Sequence, residues 1–294
     1  MAAVLGKDQM AHGLGNSRED IAAFEHVRRL HIGRYLGAAA ILALLVWIGI
    51  SFARGQIEWR VVGQFLLAKT ILAGVLNTVW MAVLAMLLGV TIGILVALMR
   101  LSSNPVLRST ALGYIWFFRA TPSLLQLLLW FNLALIFPTL GIPGLIEYRT
   151  IDVVTPFSAA LIGLGIAQGA YTSEVVRAGF LSVESGQYEA AAAIGMPRLM
   201  ALRRIVLPQA MRVIVPPIGN EFIGMVKWTA IASVIQYEEV LYAAQNIYYA
   251  NHHVIELLIV AAVWYLVVVS VLSVIQDRIE RHYSRGARGI HASR

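Results

Sequence analysis

Residues 189–208 read Glu-Ala-Ala-Ala-Ala-Ile-Gly-Met-Pro-Arg-Leu-Met-Ala-Leu-Arg-Arg-Ile-Val-Leu-Pro, a basic interruption between two apolar stretches. Nothing in it is apolar for long enough to cross a bilayer. The alanine run from Glu189 to Ile194 favours helix, because Ala gives up no side-chain freedom on ordering. The acids Glu184 and Glu189 suit the start of that helix. Gly195 can end it in a left-handed conformation, and Pro197 cannot continue it but can begin another. From Arg198 a second helix then sets Leu199, Leu202, Ile205 and Val206 on one face, with Arg203 and Arg204 opposite. By the helical pattern alone, this is either an amphipathic helix resting on anionic lipid or a docking element for another protein.

The surrounding chain settles the class. Its 294 residues are 59% hydrophobic and 13% charged, with a mean hydropathy of +0.73. A soluble domain carries about a quarter charged residues, so this composition specifies an all-α integral membrane protein. A bilayer core takes about 20 apolar residues per helix. Six stretches qualify: 35–53, 71–99, 122–137 with some preceding residues, 156–173, 213–235 and 257–275. The second is long enough to tilt. Polar tails, 1–34 and 277–294, flank them.

Lys and Arg set the direction of threading. With the N-terminus inside, 17 of the 23 fall on inner segments, among them Arg28, Arg29, Arg100, Arg198, Arg203, Arg204 and Arg278. Outer segments hold Arg54, Arg60, Lys69 and Arg149. Both termini, and the 189–208 loop, are therefore expected in the cytoplasm. The net charge of +7 follows from this bias and calls for no nucleic acid. The first span ends in Ser51-Phe52-Ala53, a pattern a signal peptidase accepts. Its length and its long polar lead favour retention. Ahead of it, Ser17 with Asp20 can form a capping box opening a short helix, with Ile21, Phe24, Val27 and Leu30 on one side, expected as a surface helix on the inner leaflet.

Ionisable groups inside spans are costly and mark function. Thr121 is expected to cap the third span with Pro122 in its first turn. Arg119 would then sit at the inner headgroup level, either snorkelling or in an ion pair. Glu174 and Arg177, three apart, can pair along one helix face. The fifth span holds Pro216 and Pro217, expected to break its hydrogen-bond ladder, followed by Asn220 and Glu221. Lys227, beside Trp228 and Thr229, should face an aqueous path or an acid such as Glu221. Gly89 with Gly93, and Gly165 with Gly169, offer faces for close helix packing. The chain has no cysteine, so it has no disulfide framework or thiolate site. His252-His253 lies in an outer loop without a ligand set, and no metal site is expected. Protease, esterase and nucleotide-binding signatures are missing too.

The spacing Glu-Ala-Ala, three residues, Gly, nine residues, Ile-x-Leu-Pro is met by Glu189, Ala190, Ala191, Gly195, Ile205, Leu207 and Pro208. It resembles the cytoplasmic coupling loop of ABC importer permeases. Further segments place the resemblance in the polar amino acid uptake branch. They are Arg-Leu-Ser-Ser-Asn-Pro (100–105), Phe-Phe-Arg-Ala-Thr-Pro (117–122), Gly-Ala-Tyr-Thr-Ser-Glu-Val-Val-Arg-Ala-Gly (169–179), Leu-Pro-Gln-Ala (207–210) and Pro-Pro-Ile-Gly-Asn-Glu-Phe-Ile (216–223). The resemblance implies a five-helix core at 69–276, with its coupling loop at 184–212, plus one extra N-terminal helix at 35–53. It also implies a non-enzymatic subunit of the bacterial inner membrane. Partners would be a cytoplasmic ATPase dimer holding ATP and Mg, a second permease subunit, identical or sister, and an extracytoplasmic amino-acid-binding protein. Glu189 would anchor the loop, Gly195 its bend, Leu207 and Pro208 its exit, with Arg203 and Arg204 facing the ATPase. Arg119, Glu174, Arg177, Asn220, Glu221, Lys227, Trp228 and Thr229 are the candidates for the path or its gates. Two features depart from the family: the added first span, and Lys227-Trp228-Thr229 where Lys-Asp-Thr is common. The alternative function is an ion-coupled secondary amino acid transporter.

Overall fold

The computed structural model describes residues 32–142 and 146–283, and the expected helix from Ser17 to Leu30 lies outside them. The chain divides at residue 57 into two units. The first contributes one helix, α1 (Ile32–Arg54), uncharged from Tyr35 to Ala53. At about 1.5 Å per residue it spans about 35 Å, enough for a bilayer core.

In the second unit a short amphipathic helix, α2 (Trp59–Leu66), precedes α3 (Lys69–Leu101). Asn104 caps α4 (Pro105–Ala120) by accepting the Val106 N–H at 2.9 Å, with Pro105 in the first turn. The expected third span is not one helix. It divides between α4 and α5 (Ser123–Phe131), with Thr121 and Pro122 extended between them. Proline forces its predecessor out of the helical region, which explains the break. Thr121 does not cap α5; its hydroxyl donates back to the Phe117 carbonyl at 2.8 Å. Gln126, 4% exposed, spans the break instead, donating Nε2 to the carbonyls of Phe118 and Thr121, both at 3.1 Å, and to Thr121 Oγ1 at 2.6 Å. The chain then forms an unanticipated hairpin of β1 (Thr139–Ile142) and β2 (Ile146–Arg149), antiparallel with Leu140 opposite Tyr148.

One turn, α6 (Thr150–Val153), leads to α7 (Pro156–Leu181). A full capping box starts α7: Ser158 N–H donates to Thr155 Oγ1, and Thr155 N–H donates to Ser158 Oγ. α3 and α7 form the centre of the unit. A Cβ on Gly89 would fall 2.6 Å from Gln168 Cγ, and one on Gly165 2.6 Å from Leu88 Cδ2. Gly93 and Gly169 meet Thr172 and Ile92 in the same way. The small residues therefore let two backbones approach to where only hydrogen fits.

The loop helices α8 (Ser185–Ala193) and α9 (Arg198–Ala201) follow, then a wide π turn at Leu202–Val206 that runs into α10 (Leu207–Trp228). The π turn has a local cause. Pro208 has no N–H and its ring crowds the carbonyl four residues back. The helix relaxes by letting Leu207 N–H reach back to the Leu202 carbonyl. α10 continues through Pro216 and Pro217, contrary to the expected break. The neighbouring helix α12 is bonded to this turn, with Gln276 donating to the Pro216 carbonyl at 2.8 Å. Irregularity comes later, as a 3₁₀ stretch at Thr229–Ile235 that ends at left-handed Gln236. α11 (Val240–Asn251) and α12 (Val254–Tyr283) complete the described chain. By length and composition, α1, α3 and α12 are long and apolar enough to cross a membrane among the described residues.

The entry to α11 is fastened to both neighbours. Glu239, fully buried, accepts the N–H groups of Leu241 at 2.9 Å and Tyr242 at 2.7 Å, and the Tyr265 hydroxyl at 2.6 Å. Thr78 on α3 accepts the Val240 N–H at 3.1 Å. Burial raises the Glu239 carboxyl to about 7, against the pull of these hydrogen bonds.

Candidate functional site

Two sets of residues stand out, the 184–212 loop and a group of polar side chains between α7 and α10. The loop bend takes the form that its sequence dictates. Gly195 has φ +71°. Its N–H bonds the Ala192 carbonyl at 2.9 Å, and the Met196 N–H bonds the Ala191 carbonyl at 2.9 Å. This pair of bonds is the Schellman arrangement that closes a helix with a left-handed glycine. Ala191 is buried, while Glu189, Ala190, Arg203, Arg204, Leu207 and Pro208 are exposed and Ile205 is half-buried. Glu189 makes no ion pair among the described residues.

The expected apolar face of the second loop helix is divided. Val206 is fully buried with Ala97 of α3 and Val176 of α7, whereas Leu199 is 76% exposed and Leu202 is exposed. The π turn winds less per residue than an α-helix, so Leu199, ahead of it, is swung away from the side on which Val206 is buried. Ile194, at the end of α8, and Leu199 and Met200, in α9, are exposed and make the tip of the loop apolar. Beside it is a cavity of about 340 Å³ lined by Tyr188, Ala191, Ala192, Met196, Arg198, Ala201 and Leu202.

In the second set, Glu221 Oε2 accepts Gln168 Nε2 at 2.7 Å and Thr172 Oγ1 at 2.9 Å, both from α7. Glu221 lines a cavity of about 150 Å³ with Gln168, Tyr171, Gly224, Met225 and Trp228. The Tyr171 and Trp228 rings meet edge to face, centroids 5.6 Å apart. Among the described residues Arg119 makes no ion pair; its guanidinium lies 5.3 Å from the Tyr171 ring centre, a cation–π contact. One turn further along α7, Arg177 donates Nε and Nη2 to Glu174 Oε2 at 3.1 and 2.9 Å, and Arg100 from α3 holds the other carboxylate oxygen.

Other expected groupings do not form. Lys227 is exposed and has no carboxylate partner among the described residues. Six residues from Glu221, it points about 120° away around α10 at 3.6 residues per turn. Asn220 turns to α12, and buried Thr229 donates to the Val226 carbonyl at 2.7 Å. Sequence reasoning missed Arg100, Gln168, Tyr171 and Thr172. Gln168 and Thr172 had a readable signal, two polar residues four apart inside an apolar stretch. Arg100 had none, because its partner is far along the chain.

The chain matches the model of the family described as binding-protein-dependent transport system inner membrane component over residues 89–285. It is 40% identical over 260 residues to the arginine transport system permease protein ArgU of Corynebacterium glutamicum, covering 87% of this chain and 82% of that protein. It is 32% identical over 227 residues to the glutamine transport system permease protein GlnP of Escherichia coli, covering 77% and 97%. Among solved structures it is similar to an amino acid ABC transporter crystallised with histidines. The TM-score is 0.63 at 35% identity, covering 72% of this chain and 94% of that one.

Proposed function

We propose, from the premise that this chain belongs to the family of inner membrane components of binding-protein-dependent transport systems, a specific arrangement for the importer it serves. The chain is the multi-pass permease component of an ABC amino acid importer; the ion-coupled carrier is not favoured. Its spans are α1, α3, α4 with α5, α7, α10 and α12, so that a five-helix core at 69–276 follows one added helix. Both termini and the 184–212 loop face the cytoplasm of a bacterial cell. The loop seats in a groove of an ATPase dimer that holds ATP and Mg, while a second permease and an extracytoplasmic binding protein complete the assembly.

The observation that carries this reading is the apolar tip of the loop. Ile194, 75% exposed, and Leu199 project from an otherwise basic segment, and exposed apolar clusters ringed by polar residues mark docking surfaces. ATP binding draws the ATPase subunits together, and their grooves carry the loops. Glu189 and the turn Ala190-Ala191 anchor the first helix and Gly195 holds the bend. Arg203, Arg204 and Ile205 follow the groove, and Leu207-Pro208 passes the motion to α10. Because the loop runs into α10 without a break, displacing it moves Glu221 and Trp228 against α7. The cavity there receives the amino acid, with Glu221 toward its ammonium and Arg119 toward its carboxylate. Glu174, Arg177 and Arg100 close the inner end. The substrate is a polar amino acid, as the arginine and glutamine systems of the relatives support.

The test is reconstitution of the purified permease with its ATPase and binding protein in proteoliposomes, screened with basic, amide and sulfur-containing amino acids. ATP-dependent uptake that requires the binding protein is expected. Uptake by the permease alone, driven by an ion gradient, would refute the reading.

A further inference from the structure

α10 and α12 share one apolar cluster, with Met225 in its buried part and Phe222, Val268, Val269 and Leu272 packed against it. Such surfaces can slide past one another. At the proline turn of α10 they are also joined by directional bonds. Gln276, 4% exposed, donates Nε2 to the Pro216 carbonyl at 2.8 Å and to Glu280 Oε1 at 2.9 Å. Asn220, one turn after Pro216, donates Nδ2 to the same Glu280 oxygen at 2.8 Å and reaches the Pro216 carbonyl at 3.4 Å. Gly219 permits the approach, because a Cβ there would lie 2.5 Å from Gln276 Cδ and collide with its amide.

A buried amide has few alternatives once a helix moves. Sliding one helix past the other by one turn, about 5.4 Å, would break every bond of this group and leave Gln276 without an acceptor. The join also falls at the double proline, where α10 lacks two of its own backbone donors.

We propose that Gln276 and Glu280 are positioning residues that fasten α12 to the proline turn of α10, so that a stroke entering α10 carries α12 with it. The inference rests on the importer reading, in which α10 receives the stroke. It assigns α12 a moving role, and makes the Pro216–Asn220 turn the place where that motion is shared.

The absence of cysteine from the chain gives a clean test in the full reconstituted complex. Gly219→Cys with Gln276→Cys places two thiols where the glycine and amide meet. Oxidation should cross-link them and leave ATP-driven uptake at half or more of the reduced rate. Failure to cross-link, or loss of uptake that reductant restores, would overturn the proposal. A second variant guards against a folding defect. Gln276→Leu should leave binding-protein-stimulated ATP hydrolysis within about twofold of wild type while uptake falls about tenfold, the sign of a broken mechanical link. Equal losses in both, or no loss in either, would count against it. If the wild-type complex shows no ATP-driven uptake, the importer reading itself fails and this inference falls with it.

Discussion

Substituting Gly195 isolates the loop bend from everything else in the protein. Its φ of +71° is one that L-residues seldom adopt, yet a Cβ there would meet nothing within 4 Å. The penalty is therefore purely one of backbone, about 1–2 kcal/mol for a residue such as Ala. Two hydrogen bonds hold the bend, Gly195 to Ala192 and Met196 to Ala191, both at 2.9 Å. Each is worth about 0.5–1.5 kcal/mol net, so the penalty is comparable to what keeps the bend closed. Since about 1.4 kcal/mol is a factor of ten, Ala should cut the population of correctly bent loop by about five- to thirtyfold. Val, stiff and branched, should cut it further. Asn tolerates the left-handed region and should stay close to glycine. In proteoliposomes the uptake rate should rank Gly, Asn, Ala, Val. Membrane insertion and elution as a folded species should not change, because no core contact is touched. Wild-type uptake with Gly195→Val, or an Asn variant as poor as the Val one, would refute the reasoning.

The small-residue seam gives a second expectation. Gly89→Val or Gly165→Val overpacks α3 against α7, costing about 1–3 kcal/mol, and should lower Tm in detergent, whereas Gly186→Ala, with open space around it, should not. Glu174→Gln leaves Arg100 and Arg177 without their shared carboxylate; because these side chains are about a quarter exposed, the loss should be about 1–2 kcal/mol rather than the larger cost of a buried pair. Asp152→Asn, whose pair with Arg149 is open to solvent, should change Tm by nothing measurable. Glu239 makes stability depend on pH. With its carboxyl held at about 7 in the folded state, above its ordinary value, the contribution is full at low pH and lost as pH rises through 7. Tm should therefore fall between pH 5 and 8 in wild type, and less in Glu239→Gln; equal slopes would contradict the assignment.

Much of this architecture could be read from local signals. The uncharged run at 71–99 became α3, and the alanine run closed by Gly195 and followed by Pro197 became the bent loop, because neighbouring residues determine both. Glu174 and Arg177 paired because three-residue spacing on a helix brings them together. Part of what escaped depends on other elements. α10 runs on through Pro216 and Pro217, and its proline turn is bonded by Gln276 on α12, sixty residues away. Lys227 misses Glu221 for a local reason that was overlooked, because six residues of helix turn the two about 120° apart. Leu199 leaves the side of Val206 because the α-helical spacing does not hold across the π turn ahead of Pro208. The division of α4 from α5 was signalled by Pro122, but Gln126, which bridges the break, had no mark in the sequence.

The account depends on the 189–208 loop being gripped from the cytoplasmic side. A single cysteine at the exposed Leu199, in a chain otherwise free of cysteine, reports this with a membrane-impermeant thiol reagent. No labelling is expected in intact spheroplasts, with rapid labelling in inverted vesicles stripped of the ATPase and protection when the ATPase is restored. Labelling from the outer face, or labelling in inverted vesicles that the ATPase does not slow, would contradict it.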